Sequence, residues 1–154
     1  MERADYNMPF LLQYENVAWY ENGSVKILDR RIYPTKIEFV ECFTHQEVAQ
    51  AITDMVTQSA GPYTAAGMGM ALAAFEAKEL SLEEQISFLE KAAHTIGYAR
   101  PTTANRMTQI TSNCFEVGKK ALESGESPIV AIFNTTIDSL NRRYTIMDSV
   151  GRTL

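Results

Sequence analysis

Two segments of this chain combine residue types that suit the binding of an anion. Residues 58–72 run Gln-Ser-Ala-Gly-Pro-Tyr-Thr and continue through alanine, glycine and methionine. This pattern predicts a Gly/Pro loop that leads into a helix, whose first backbone N–H groups favour a negative charge. Residues 99–105 place Arg100 directly before Pro101 at a second predicted helix start, where a guanidinium can bind a phosphate through two hydrogen bonds. Together the segments predict half of a phosphate pocket, with no obvious catalytic group beside it.

The same two segments also have purely structural explanations. Small side chains let two helices pack closely, and the glycines fit neither a Walker A loop nor the G-x-G-x-x-G pattern that follows a strand. In the anion-binding interpretation, Gly61 and Gly67 allow close backbone approach and Thr64 adds a hydroxyl. Arg100 is equally compatible with an ordinary surface arginine. The sequence leaves both explanations open.

The remaining reactive side chains indicate structural roles. Cys42 and Cys114 are isolated and lack the spacing of metal ligands, and Cys114 falls within a predicted helix as a buried or half-buried thiol. His94 lies near a predicted helix C-terminus, where the helix dipole favours it, and His45 lies in a helix-capping sequence expected at the surface. We therefore expect no metal, no cofactor and no catalytic residue in this chain.

Length and composition restrict the class of protein. The 154 residues suffice for one ordinary domain, with 45% hydrophobic and 21% charged residues. The net charge of −5 and the scattered basic residues, densest at Arg30-Arg31 and Arg142-Arg143, argue against a nucleic-acid partner. No apolar run reaches membrane-spanning length and residues 1–5 lack a signal-peptide pattern, so we expect a reduced, cytoplasmic protein without membrane contact.

The N-terminal region has the pattern of a small antiparallel sheet. Residues 14–20 alternate and are rich in strand formers, and Asn22-Gly23 after them is a strong hairpin signal because a type I′ turn needs positive φ at both central residues. Residues 24–29 then form the returning strand. Residues 36–43 predict a third strand, after Pro34 has interrupted the chain.

About five helices are predicted after the sheet. Capping sequences begin the first at Thr44 and the third at Ser81, and Pro128 opens the fifth. The fold class is thus α+β, with a three-stranded antiparallel sheet followed by a helical bundle. We divide the chain into the sheet segment 1–43, the helical bundle 44–126 and the long last helix 127–154. The apolar pattern of the last helix persists to Leu154, which we interpret as a helix leading into a further segment. The predicted helices cover residues 44–58, 64–78, 81–97, 101–122 and 127–154, and the last has apolar residues at Ile129, Phe133, Ile137, Leu140, Tyr144 and Met147.

The order of these motifs resembles one particular family. The similar segments are residues 14–19, 25–31 and 48–56, then the Gly/Ala loop, and then Ala-Arg-Pro-Thr-Thr-Ala-Asn at 99–105. With these segments the chain is similar to the N-terminal part of methylthioribose-1-phosphate isomerase. Ribose-1,5-bisphosphate isomerase and the subunits of translation initiation factor 2B share this pattern. The resemblance implies a sheet and helical bundle, followed in the family by a Rossmann-like C-terminal domain with the active site between the two.

The resemblance also implies a function. The family's isomerases convert an aldose 1-phosphate to a ketose 1-phosphate, in methionine salvage among other settings, with a catalytic cysteine and aspartate on the C-terminal domain and therefore outside this chain. This chain would bind a sugar phosphate, pair with its own C-terminal domain and form a homodimer. The substrate-binding residues implied here are Gln58, Gly61, Arg100, Thr102 and Asn105.

One departure from the family pattern leaves a second function open. Gln58 stands where the isomerases have an arginine, and an amide supplies no charge to a phosphate. This difference places the chain in a divergent subgroup. The alternative function is a non-catalytic assembly or regulatory module of the initiation factor 2B type.

Overall fold

A small sheet and five helices make up the chain in a computed structural model that describes residues 3–5 and 8–153, the last eight of these by their backbone alone. The prediction of an α+β fold with an N-terminal antiparallel sheet is confirmed. The strands are β1 (Ala18–Glu21), β2 (Ser24–Leu28) and β3 (Phe39–Cys42); the helices are α1 (His45–Thr53), α2 (Gly61–Glu76), α3 (Leu82–Gly97), α4 (Ala104–Glu123) and α5 (Pro128–Thr153); and short 3₁₀ turns cover Phe10–Leu12, Tyr14–Asn16 and Pro101–Thr103.

The sheet has the order β1-β2-β3, with both neighbouring pairs antiparallel. Asn22 and Gly23 have φ of 50° and 87°, as the predicted hairpin turn requires. The first strand begins later than predicted, because residues 14–16 form a 3₁₀ turn instead. The backbone N–H of Tyr14 donates to the Asp5 carboxylate at 2.8 Å, so a local hydrogen bond replaces the ladder bond of a strand.

Helix α2 lies at the centre of the fold and contacts the other four helices and the first two strands. Its residues from Thr64 to Ala74 are all buried. A Cβ added at Gly67 would lie 2.3 Å from Thr136 Oγ1 on α5, and one added at Gly69 would lie 2.9 Å from Val48 Cγ1 on α1. The small residues of α2 are therefore needed for close helix packing, which supports the structural explanation of this run.

The predicted helix boundaries need three corrections. Helix α4 begins at Ala104 and not at residue 101, because Pro101–Thr103 form a 3₁₀ turn. Helix α1 ends at Thr53 rather than near Gln58, because the chain leaves the helix there and Met55 adopts a left-handed φ of 63°. Helix α2 begins at Gly61, three residues before the predicted start, since Pro62 fits the first turn of a helix. The caps at Thr44 and Ser81 are confirmed: their hydroxyls accept from the N–H groups of Glu47 and Glu84 at 3.1 and 3.3 Å.

Helix α5 packs its apolar face against the rest of the fold, as its spacing predicts. Ile137, Leu140 and Tyr144 are buried. The half-buried Trp19 of β1 meets Phe133 edge-to-face, with ring centroids 5.1 Å apart. The side chain of Met147, the last residue of the predicted face before Leu154, lies outside the described residues, as does Leu154 itself.

Candidate functional site

The first predicted segment of the site forms the connection between α1 and α2, residues 54–60, which we call the α1–α2 loop. Two of its non-glycine residues, Met55 and Ser59, have left-handed φ values of 63° and 60°. The loop is fixed to its surroundings by backbone bonds, because the Val56 N–H donates to Ala51 O at 3.0 Å and Val56 O accepts from the Arg30 N–H at 2.8 Å. Such conformations persist only where the surrounding structure determines them.

Arg100 joins the second predicted segment to the α1–α2 loop. Its Nε donates to Ile52 O at 2.7 Å and its Nη2 donates to Thr57 O at 2.7 Å. Beside it, the Thr53 hydroxyl donates to Ala99 O at 2.8 Å. Burial lowers the pKa of Arg100, but an arginine stays protonated in a protein at neutral pH. The structure thus brings the two predicted segments together, and the guanidinium holds the end of α1 and the start of the loop in place.

Gln58 and Gly61 both have defined structural roles at the start of α2. The Gln58 Nε2 donates to Met55 O at 3.1 Å within the loop. A Cβ at Gly61 would lie 2.0 Å from Thr57 Oγ1, so the position needs glycine. The Gly61 N–H donates to Gln58 O at 3.0 Å, the Tyr63 N–H donates to Ala60 O at 3.2 Å, and Pro62 has no N–H. The first donors of the helix are therefore used inside the loop.

Thr102 and Asn105 lie on the outside of the turn that follows Arg100. Both are exposed, and Asn105 O accepts a hydrogen bond from the Thr108 hydroxyl at 3.1 Å. Between them, the Thr103 hydroxyl is buried with no hydrogen-bond partner among the described residues. A buried unpaired hydroxyl is uncommon in folded proteins. Thr103 lies three positions after Arg100 in the sequence.

A cavity of about 190 Å³ adjoins the α1–α2 loop; we call it the loop cavity. Gln58 and Gly61 line it together with Arg30 and Arg143, whereas Arg100, Thr102 and Asn105 are not among its described lining residues. The two lining arginines were not predicted as site residues. Each belongs to one of the two basic pairs of the sequence, and that local density of charge is the signal that could have identified them.

The other reactive side chains are structural, with one correction. His45 was expected at the surface but is buried, because Glu76 Oε1 lies 2.8 Å from its Nδ1 and accepts from its backbone N–H at 2.7 Å. Burial raises the pKa of Cys42 to about 11 and that of Cys114 to about 12, which leaves both thiols unreactive near neutral pH. His94 is exposed, beside the Tyr98 ring.

The described residues contain neither a membrane-spanning helix nor a metal-ligand cluster. No helix in this part of the chain is long and apolar enough to cross a membrane. Within the same residues, no group of three or more His, Cys, Asp or Glu side chains is placed to hold a metal ion.

Comparison with curated proteins finds several isomerases. The chain is 32% identical over 120 residues to methylthioribose-1-phosphate isomerase of Nostoc punctiforme, covering 77% of this chain and 33% of that protein. It is 36% identical over 95 residues to the enzyme of the same name from Thermotoga maritima, covering 61% of this chain and 26% of the relative. The chain therefore spans about a third or less of the length of these relatives. No protein-family model matches the sequence.

Comparison with solved structures agrees with this result. The 5-methylthioribose 1-phosphate isomerase of Pyrococcus horikoshii superposes with a TM-score of 0.63 and 28% identity, over 87% of this chain and 36% of the other. The delta subunit of translation initiation factor eIF-2B from A. fulgidus superposes with a TM-score of 0.64 and 25% identity, over 87% and 37% respectively. The chain belongs to the family that contains methylthioribose-1-phosphate isomerase and the initiation factor 2B subunits, and it corresponds to the N-terminal domain of those proteins.

Proposed function

We propose that this chain provides the N-terminal wall of a sugar-1-phosphate site in an aldose–ketose isomerase-like protein. The observation that supports this most directly is the contact of Arg100 with both Ile52 O and Thr57 O. It holds a cation against the α1–α2 loop, so two segments that are far apart in sequence form one surface. The named relatives act on a phosphorylated sugar, and such a surface suits its phosphate.

In this proposal the chain binds and orients the substrate, while the bond changes occur elsewhere. A phosphate dianion near the loop would be stabilised by Arg100 and by Arg30 and Arg143 at the loop cavity. Exposed Thr102 and Asn105 would add neutral hydrogen bonds to sugar hydroxyls. The proton or hydride shift between C1 and C2 would need groups from a C-terminal domain. Fixing the phosphate lowers the entropic cost of that step.

A gain-of-charge variant tests the proposal. Calorimetric titration of the chain with ribose 1-phosphate is compared with that of Gln58→Arg, which places a guanidinium in the α1–α2 loop. We expect weak saturable binding by the parent chain and about tenfold tighter binding by the variant, the effect of one added charge-assisted hydrogen bond. Gln46→Arg adds the same charge at an exposed position of α1 and should leave the affinity unchanged.

Two results would contradict the proposal. Binding of ribose 1-phosphate no stronger than binding of ribose, at constant ionic strength, would show that the phosphate is not recognised. Equal affinities for the parent chain and Gln58→Arg would show that the loop does not face the phosphate.

A second candidate function is a non-catalytic assembly module. The superposition on the eIF-2B delta subunit, with a TM-score of 0.64, favours it, and a lost loop charge matters less in such a protein. In this function the chain would pair with a second copy or with a related subunit. The reading frame beyond codon 154 distinguishes the two functions: a cysteine in a strand-turn context with a later aspartate indicates the isomerase, and their absence indicates the module. Sedimentation of the purified chain tests the homodimer.

A further inference from the structure

A second, larger cavity lies between α2, α4 and α5, and its volume is about 420 Å³. Three arginines line it, Arg106 from α4 and Arg142 and Arg143 from α5, so we call it the arginine cavity. Its size falls in the range of small-molecule sites. It shares only Arg143 and Thr64 with the described lining of the loop cavity.

The described lining of this cavity is positively charged, whereas the whole chain has a negative net charge. The chain has a net charge of −5, yet the described residues lining the arginine cavity include three arginines and neither an aspartate nor a glutamate. Within the residues that the structure describes, the arginines in ion pairs are Arg3 and Arg31 instead. The three cationic side chains thus face the cavity without a carboxylate from the described chain.

Arg143 is the least solvated of the three. Its side chain is half-buried, and its guanidinium lies 5.9 Å from the centroid of the Tyr63 ring, over which Arg106 lies at 5.8 Å. Burial lowers the pKa of Arg143, and the nearby charge of Arg106 lowers it further. A half-buried cation beside a second cation favours the binding of an anion near both.

The neutral polar groups of the cavity suit a particular kind of anion. Asn113 of α4 and Thr135 and Ser139 of α5 also line it, and their amide and hydroxyl groups can both donate and accept hydrogen bonds. Such groups match the hydroxyls of a sugar or polyol, whereas guanidinium groups match phosphate oxygens in a bidentate geometry.

We propose that the arginine cavity binds the phosphate of a small phosphorylated polyol between Arg106, Arg142 and Arg143. Its described lining shares Arg143 and Thr64 with the loop cavity but includes neither Arg100 nor a residue of the α1–α2 loop. Its described lining comes from α2, α4 and α5, and the purified chain contains all three helices. Arg106 and Arg142 line this cavity and not the loop cavity, so variants at these two positions distinguish the inference from the proposed function.

Titration calorimetry of the purified chain tests this site. The probes are inorganic phosphate and ribose 5-phosphate, with ribose as the uncharged control and sodium chloride holding the ionic strength constant. We expect saturable binding of both anions, tighter for ribose 5-phosphate because of its hydroxyls, and none of ribose. Absence of saturable binding by either anion would overturn the proposal.

Charge-removing variants locate the site. Arg106→Gln and Arg142→Gln should each weaken the binding of inorganic phosphate about tenfold, the effect of one lost charge-assisted hydrogen bond. Lys120→Gln removes one charge from an exposed position of α4 and should leave the affinity unchanged. Equal losses in all three variants would indicate only a general charge effect and would refute the site.

Arg143→Gln tests the site through the stability of the chain. The substitution also removes the contact of this guanidinium with the Tyr63 ring, so the melting temperature of the variant without an anion is the baseline for its phosphate response. With phosphate the parent chain should gain stability and the variant should not. An undiminished phosphate response in the variant would contradict the proposal. If Gln58→Arg changes the affinity for ribose 1-phosphate and Arg106→Gln does not, this ligand binds at the α1–α2 loop and not in the arginine cavity.

Discussion

Arg100 offers the most direct test of how the candidate site is held together. Its Nε and Nη2 donate to Ile52 O and Thr57 O, both at 2.7 Å, and so tie the end of α1 to the α1–α2 loop. Arg100→Ala removes both donors and leaves two carbonyl groups to find other partners. We therefore expect this substitution to destabilise the fold even when no ligand is present.

The size of the effect follows from the type of bond. A hydrogen bond from a charged donor contributes about 1.5–3 kcal/mol, and Arg100 is only half-buried, so the carbonyls regain some water after truncation. We expect Arg100→Ala to lower the free energy of unfolding by about 2–4 kcal/mol. At about 2–4 °C per kcal/mol for a chain of this size, the melting temperature should fall by about 5–15 °C.

Urea denaturation followed by tryptophan fluorescence measures this loss. The chain has a single tryptophan, which is half-buried and packs against Phe133 at the edge of the core. Arg100→Lys should recover less than half of the stability, because an ammonium is a point donor and lacks the fork that reaches both carbonyls. Arg106→Ala is the matched control, since that arginine lies at the arginine cavity and should cost little stability.

One outcome would refute this reasoning. If Arg100→Ala unfolds within about 0.5 kcal/mol of the parent chain, as surface substitutions usually do, the guanidinium does not hold the loop. The two predicted segments would then not form one surface, and the wall proposed for the sugar phosphate would lose its support.

Three further predictions concern packing, thiols and pH. Gly67→Ala should lower the free energy of unfolding by about 1–3 kcal/mol through overpacking against Thr136, partly offset by about 1 kcal/mol of helix propensity. Adding Thr136→Ala to this variant should recover at least half of the net loss, as measured by thermal denaturation. No recovery would contradict the close approach of α2 and α5. Cys114 is buried, and burial raises its pKa to about 12, so it should resist a thiol reagent at pH 8 until denaturant is added. Labelling of the folded chain at the rate of a free thiol would show the burial to be wrong. Burial alone would raise the pKa of the Asp5 carboxyl, but hydrogen bonds from a neighbouring arginine and a backbone N–H lower this pKa overall. Asp5 therefore stabilises the fold at pH values above its unfolded pKa of about 3.9. This contribution is lost as the pH falls through the lower pKa of the folded state. The stability gap between the parent chain and Asp5→Asn should accordingly narrow below about pH 4, and a gap that is constant from pH 7 to 3 would contradict this.

The features that could be predicted from the sequence depend on residues that are close to one another in sequence. Asn22-Gly23 determines a hairpin turn by its own backbone preferences, and Thr44 and Ser81 cap helices through residues three positions away. The small residues of α2 left helix packing and anion binding both open, and the structure supports packing through the close approach of Gly67 to Thr136. These local signals were sufficient for the fold class.

The features that were missed depend on residues far apart in sequence. His45 is buried because Glu76, which is 31 positions later, accepts hydrogen bonds from its ring and backbone. The early end of α1 depends on Met55 taking a left-handed conformation, which no residue type signals there. The arginine cavity was missed because its lining comes from three helices, and only folding brings Arg106 near Arg143.

A backbone NMR titration with ribose 1-phosphate tests the proposed sugar-phosphate wall most directly. The account predicts saturable shifts of the amides of Gln58, Gly61 and Asn105 and of the Arg100 side chain, with ribose causing none at the same concentration. Shifts absent from these positions while they appear elsewhere, or no shifts at millimolar ligand, would contradict it.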